Sequence, residues 1–553
     1  MLFVLRISSC CRWTVTLPCA TDPPDMGPVE KCLLLLALTV AFTPVAQRLR
    51  LAEPIAFVLG GLLVSLIPGF PLVQLDPDLI FLLILPPLLF AQAFFTPWRA
   101  FCANLRPIVL LAVGLVLFTA VGVALFVHWL VPAIPLAATF ALGAIVSPPD
   151  AVAVAAVARQ LQLPRRLVTV LEGESLVNDA TGLVILRFAL AALAAGSFSL
   201  PLATVSFVQV VVGGVAVGLA VGWLMLQVRR LLIEDAWQVT LSLLTPFAAY
   251  LPAERLHLSG VLAVVACGIY LGTTLPARLT FSARLLGSAT WRMVDSLLTG
   301  VVFVLIGLQL RVVVSGLEAD YSWKQLLGWS VGLSVLVIGL RPLWIFPVTH
   351  VQRWIIPGLR KRDPAPRWQE IAVMSWAGVR GVVSLAAALA LPRTLPDGTA
   401  FPGRELLIFL TFAVILATLV VQGLSFPWIV RQLGVRERTN RGEHEREVRL
   451  ALARAGLTAV DHLVESGRFN ERAVRAVRDL YDERILEATD EMALALGWSP
   501  QMEHSLAWHR LRHAALDAER EELQRLRDLD RLAAELGPVL IRELDLEEAR
   551  LRH

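Results

Sequence analysis

Runs of mostly apolar residues long enough to cross a lipid bilayer recur along this chain and constrain its fold more than any other feature. A spanning helix needs about 20 such residues. Thirteen candidate runs occur, near 29–46, 54–70, 78–96, 107–131, 135–157, 168–195, 203–228, 237–252, 258–273, 293–312, 325–349, 370–391 and 405–430. Composition agrees: 56% of the 553 residues are hydrophobic and only 17% are charged, where a soluble domain carries roughly 25% charge. The expected fold class is an all-α polytopic membrane protein of about 13 transmembrane helices. The runs at 237–252 and 258–273 are short and separated by the polar stretch Ala253–His257, so either is a candidate for a re-entrant segment.

Loop charge tests the count and orients the chain. Alternate loops carry seventeen Arg and Lys residues, from Arg48 and Arg50 through Arg99, Arg106, Arg165, Arg166, Arg229 and Arg230 to Arg353 and Arg367; the intervening loops carry five. Basic residues are retained on the cytoplasmic side, which places the N-terminus outside and the C-terminus in the cytoplasm. Residues 1–28 are weakly apolar and lack a clear signal-peptide cleavage site. They read as an N-terminal extension, with translation expected to start at Met26. Residues 29–430 form the expected transmembrane domain. From 431 the composition turns to Arg, Glu, Leu and Ala, with apolar residues at helical spacing (Val474, Val477, Tyr481, Ile485), which reads as a cytoplasmic helical tail able to bind a regulator. The six cysteines form no CxxC pair, so neither a zinc site nor a disulfide framework is indicated. The basic residues sit in short loops and a mixed-charge tail, so no nucleic-acid face is indicated either. No cofactor is implied.

Ionisable groups inside a bilayer are costly and mark pathways or paired sites. Here they gather in four runs. Asp150 lies in the fifth; Glu172, Glu174 and Asp179 in the sixth; Arg341 in the eleventh; Arg380 in the twelfth. Asp150 and Asp179 lie about 10–17 Å from the cytoplasmic ends at 1.5 Å per residue, and the arginines at comparable depth. Two of these runs are built to break. Ser147-Pro148-Pro149 removes two backbone donors in the middle of the fifth, and Gly378 and Gly381 bracket Arg380 in the twelfth. Irregular backbone at this depth requires a protein interior or a water-filled cavity, and paired interrupted helices in two halves point to a transporter binding site. In the sixth run Ser175 and Asp179 share a helix face, and Glu174 and Asn178 the adjacent one. Carboxylate, hydroxyl and carboxamide oxygens suit a hard cation. Asp179 is the expected carrier of cation and proton in turn, and Glu174 the expected partner of an arginine.

The stretches LEGESLVNDATGLV, SWAGVRGVVSLAAAL, LPPLLFAQAFF and LHLSGVLAVVACGIYLG together resemble the monovalent cation/proton antiporter family, which includes bacterial sodium/proton antiporters and animal plasma-membrane exchangers. The resemblance covers about 29–430 in the family's order. It implies inverted repeats with two broken helices, a homodimer in the bilayer, alternating access, and exchange of protons for sodium, potassium or lithium. It implies an ion site at Asp179 with Asp150, Ser175 and Asn178. It also implies a buried salt bridge from Glu174 to Arg341, with Arg380 as the arginine of the second broken helix. Members with Asn before the aspartate, as here, tend to be electroneutral. Two positions depart from the pattern: the usual Thr-Asp-Pro reads Pro149-Asp150-Ala151, which removes a threonine ligand, and Ala91 replaces an acidic residue. Two other classes were weighed. An intramembrane aspartyl protease built on Asp150 and Asp179 would need the two to share a proton, which two buried arginines oppose, and the sequence has no GxGD context. Against a cation channel, no repeated carbonyl-filter sequence occurs; against a transport-dead sensor with a signalling tail, the tail carries no recognisable enzymatic motif.

Overall fold

The computed structural model describes residues 27–49, 51–68, 70, 77–150, 158, 161, 163–195, 200–275, 278–315, 317, 321–355, 366–436, 441–465 and short parts of 474–485, with 546. Residues 1–436 and 437–553 form two compact units. Within the first, the apolar runs lie on helices. Eight are long and apolar enough to cross a membrane: Val29–Leu49, Pro77–Phe95, Leu105–Leu130, Arg165–Ala195, Thr204–Arg229, Ser282–Val314, Trp323–Ile355 and Arg404–Leu433. Shorter apolar helices occupy Glu53–Ser65, Leu136–Val146 and Gly260–Thr274. The two short runs are helices Asp235–Arg255 and Gly260–Thr274 that pack on each other. They are joined by a tight turn in which His257 takes a positive φ of 58°.

Many apolar side chains face outward, among them Leu63, Val205, Leu244, Leu327 and Val335. In water these would be a liability; against acyl chains they need no cover. Exposed tryptophans stand near helix ends, as Trp129, Trp237, Trp323, Trp354 and Trp368 do. Amphipathic rings are enriched at that level, where hydrocarbon meets headgroups.

Inside, two apolar clusters form. One runs through Leu142, Ile306, Leu333, Ile371, Leu385 and Leu406; the other through Phe90, Ile108, Leu176, Val264 and Trp291. The Arg165–Ala195 helix serves both, giving Val170 and Leu171 to the first and Leu176 and Ala180 to the second. The helix that carries Asp179 is therefore gripped on two sides. Between membrane helices, close backbone approach substitutes for the missing hydrophobic drive. Helices Glu53–Ser65 and Phe281–Ser315 cross at Gly61 and Gly307, where a Cβ on Gly307 would lie 2.6 Å from Leu62 N and closer still to Val58 O.

That crossing gives a prediction. Gly307→Val should lower the unfolding temperature of the purified protein, at a cost of about 1–3 kcal/mol for overpacking. Gly328→Ala, where an added Cβ meets nothing within 4 Å, should leave it unchanged or raise it, by about 0.4–1 kcal/mol. A thermal unfolding series in one detergent checks both.

Candidate functional site: two broken helices and a carboxylate helix

The first broken helix runs regularly over Leu136–Val146 and then fails. Pro148 and Pro149 lack N–H groups, so the carbonyls one turn earlier lose their donors. Ser147 Oγ donates to Ala144 O at 3.2 Å and occupies one of them. In an uninterrupted helix the Asp150 amide would donate to Val146 O. It donates instead to Val379 O, at 2.7 Å, in the break of the second interrupted helix. Val146 O receives Arg380 Nε at 2.8 Å in its place. The two breaks thus exchange partners: each repairs a backbone group that the other has exposed.

The second interrupted helix comprises Trp368–Trp376 and Val382–Leu389, with residues 377–381 unwound between them. Its glycines leave room for two different neighbours. The Asp150 side chain lies directly over Gly381, in the space a Cβ would take. That puts a carboxylate against the N-terminus of the Val382–Leu389 helix, where the backbone dipole favours negative charge. Gly378 makes space for the Arg341 and Arg380 side chains. The Arg380 guanidinium is buried at 2% exposure and donates to Gly378 O and Val146 O. Its backbone amide donates to Thr418 Oγ1 at 3.1 Å.

The third element is the helix Arg165–Ala195. Glu174 forms a two-pronged pair with Arg341, Oε1 receiving Nη1 at 2.6 Å and Oε2 receiving Nη2 at 2.7 Å. The two residues are 2% and 1% exposed. Arg341 Nε donates to Met374 O at 3.0 Å, so the pair also ties the first half of the second broken helix. Asn178, one turn after Glu174, donates Nδ2 to Pro149 O at 2.7 Å and is wholly buried. Its Oδ1 has no hydrogen-bond partner. Asn178 is therefore first a clamp between the carboxylate helix and the first break.

Asp179 and Ser175 lie on the remaining face. Ser175 is buried; Asp179 is half-buried and close enough to Asp150 to act on it electrostatically. Among the described residues the Asp179 carboxylate makes no hydrogen bond or salt bridge. The structure therefore gathers Ser147, Pro148, Pro149, Asp150, Glu174, Asn178, Arg341, Gly378, Arg380 and Gly381 into one bonded or contacting cluster, with Ser175 and Asp179 each one residue along, on the adjoining face of the Arg165–Ala195 helix. Residues 151–157, including Ala151 of the departing Pro149-Asp150-Ala151 triplet, lie outside the described residues. Cavities of about 670 and 350 Å³ open among the described residues, and neither is lined by Asp150 or Asp179. Arg187, toward the other end of the carboxylate helix, pairs with Glu254 at 2.7 Å on a partly exposed surface.

Two residues of this neighbourhood were not anticipated from the sequence. Thr418 and Gln422 belong to a π-helical stretch, Thr418–Gly423, within the last span. Their signal was there to be read: two polar residues four apart in the apolar run ILATLVVQGL.

Residues 34–432 match the family described as sodium/hydrogen exchanger, transmembrane. The chain belongs to that family. Its members are secondary transporters and not enzymes, which disposes of the protease reading. Over 548 residues the chain is 33% identical to an uncharacterized Na+/H+ exchanger of Escherichia coli K12, covering 94% of this chain and 98% of that one. It is 37% identical over 420 residues to a sodium, potassium, lithium and rubidium/H+ antiporter of Bacillus subtilis 168, covering 71% of this chain and 60% of that one. Its fold is similar to that of the sodium proton antiporter MjNhaP1 from Methanocaldococcus jannaschii, with a TM-score of 0.58 at 19% identity over 73% of this chain and 98% of that one.

For this family member the buried pair makes a sharp energetic prediction. Removing one partner strands a buried charge, at a cost of about 3–5 kcal/mol, whereas replacing both with apolar residues is often neutral or stabilising. Arg341→Met should therefore lower the unfolding temperature strongly. Glu174→Leu combined with Arg341→Met should recover most of the loss, as read by thermal unfolding in detergent.

Proposed function

We propose that this chain exchanges protons for sodium, or for potassium or lithium, across the bacterial inner membrane, in the service of pH and cation homeostasis. One observation carries the reading. In a cluster where Glu174 is held by Arg341 and Arg380 is engaged by backbone carbonyls, the Asp179 carboxylate makes no hydrogen bond or salt bridge among the described residues. An acceptor kept in that condition can take a proton or a dehydrated cation, and taking one expels the other. Asp150 adds negative potential, and Ser175 adds an oxygen on the same face. Asn178 Oδ1, buried and without a partner, is a second neutral oxygen for the cation. Asp179, Asp150, Ser175 and Asn178 thus make up the monovalent-cation site.

Alternating access follows from the breaks. Half-helices joined through side chains and single backbone hydrogen bonds can tilt together without the cost of unwinding a continuous helix inside the bilayer. One carboxylate titrating against one cation gives an electroneutral exchange, one proton for each cation. In this reading the span count is thirteen, arranged as inverted repeats in a homodimer. The N-terminus faces outward, and the helical tail from 431 lies in the cytoplasm as a surface for a regulator.

The reading is tested by reconstituting wild type and Asp179→Asn into liposomes with a pH-sensitive dye and an imposed pH gradient. Sodium, potassium and lithium are then added in turn. Wild type should restore dye fluorescence with at least one of them, and Asp179→Asn with none. A wild type that moves no protons with any cation across a range of pH overturns the reading.

The same competition dictates the pH dependence. Lowering pH loads more Asp179 with protons, so the apparent KM for the cation must rise. Where the site is mostly protonated it should rise about tenfold for each pH unit, since a tenfold change in proton activity offsets a tenfold change in cation. The maximal rate should change less over the same range. A KM that does not depend on pH contradicts a shared carboxylate.

A further inference from the structure

The cavity of about 670 Å³ lies apart from the carboxylates and is built differently. It opens where the helices ending at Phe95, Arg229 and Thr274 meet those starting at Asp235 and Phe281. Uneven packing creates it. Gly260–Thr274 lies close on Leu85–Phe95, so that an added Cβ on Gly272 would run into Phe94 O. On the Phe281–Ser315 helix, a Cβ added to Gly287 would meet only Val239, at 3.7 Å. Trp291, the lining residue furthest along that helix, donates Nε1 to Ser242 Oγ at 3.1 Å. The wall is apolar, with Phe90, Phe94 and Leu271 beside Trp291. Its charge is of one sign: Arg99, Arg229 and Arg284 line it, and no Asp or Glu does. Asp235, at the start of its helix, receives the Thr280 and Ser282 hydroxyls and is not among the lining residues. Three arginines repel cations, so this is no entrance to the ion site. Trp98 lines the cavity and Trp237 precedes the lining residue Gln238; both rings are exposed, as rings at the level of the headgroups are.

We propose that this cavity holds an acyl chain of an anionic phospholipid, whose phosphate lies among Arg99, Arg229 and Arg284. Its volume falls within the roughly 300–1,000 Å³ of small-molecule sites, and basic pockets between membrane helices take anionic headgroups. A phospholipid supplies both halves of what the lining asks for, a phosphate for the arginines and hydrocarbon for the aromatic wall. A free phosphate would leave that wall in water. A lipid without net charge would leave three arginines beside a neutral headgroup. Bound there, the lipid ties the ends of neighbouring helices together and stabilises the fold. The inference rests on the antiporter reading only for its leaflet, since the topology proposed with that reading puts these basic loops in the cytoplasm.

Binding in detergent tests the site without any transport, so its failure and a failure of exchange are separate results. Delipidated protein is titrated with phosphatidylglycerol, with phosphatidylcholine of the same chains, and with glycerol phosphate. The readouts are the unfolding temperature and the lipid retained in native mass spectrometry. Phosphatidylglycerol should raise the unfolding temperature and be retained at lower concentration than phosphatidylcholine; glycerol phosphate should do nothing. Arg99→Gln, at an exposed position, should weaken phosphatidylglycerol about fivefold, the worth of one basic contact near a membrane surface, and leave phosphatidylcholine nearly unchanged. Gly287→Phe, which fills the cavity without removing a charge, should weaken both lipids. Equal affinity of wild type for the two lipids overturns the inference. So does phosphatidylglycerol binding that neither variant weakens, which puts the lipid elsewhere on the protein. Stabilisation by glycerol phosphate equal to that by phosphatidylglycerol also overturns it, as the site would then take a free anion.

Discussion

The buried charged cluster depends on one reciprocal repair between two damaged helices. Pro148 and Pro149 leave the carbonyls of the first broken helix short of donors, and the residues around Gly378 and Gly381 unwind the second. Alone, either defect would strand polar backbone in the bilayer interior, at several kcal/mol per group. Together, Asp150 N answers Val379 O and Arg380 Nε answers Val146 O. The repair is made by one backbone bond and one side-chain bond, so it holds the breaks in register without welding them into a continuous helix. It also delivers two charges to opposite half-helix ends. Asp150 lies at an N-terminus and Arg380 at a C-terminus, each where the backbone dipole suits it.

Around that repair Glu174 is paired with Arg341, while Asp179 makes no hydrogen bond or salt bridge among the described residues. The Glu174–Arg341 pair carries no net charge, and Arg341 Nε adds a hydrogen bond to Met374 O. A buried ion pair of this kind contributes little net stability. Its value lies in fixing the carboxylate helix against the second broken helix, so that Asp179, a little over one turn along, is presented at a defined place. Asn178 fixes the same helix to the first break through Pro149 O. The Arg165–Ala195 helix is thus pinned to both breaks by neighbouring turns, and the face that carries Ser175 and Asp179 is the one left over.

Much of this was legible before any coordinates. Apolar run length predicts the helices because the bilayer leaves a chain few other ways to satisfy its backbone, and the runs coincide with helices among the described residues. Pro148-Pro149 and the Gly378/Gly381 bracket announce the breaks because proline and glycine act locally. What could not be read is what joins distant segments. The exchange of hydrogen bonds between residues 146–150 and 379–380 spans more than 200 positions, and nothing in either segment names the other. The Glu174–Arg341 pairing came from a family resemblance, since spacing alone offered only some arginine. Asn178 was expected as an ion ligand from its place beside Asp179. What that place did not reveal is that its amide nitrogen donates to Pro149 O, tying the helix to the first break. Thr418 and Gln422 were passed over because single polar residues in a span usually bond their own helix backbone, as Thr411 does with Leu407 O.

The central claim is that proton and cation compete for one carboxylate, and proton counting tests it without any membrane. Calorimetric titration of sodium into detergent-solubilised protein, repeated in buffers of different ionisation enthalpy, gives the number of protons released for each cation bound. The account predicts about one proton per cation at pH values where Asp179 is protonated, falling toward zero as pH rises, and no sodium binding in Asp179→Asn. Sodium binding with no proton release at any pH would contradict it.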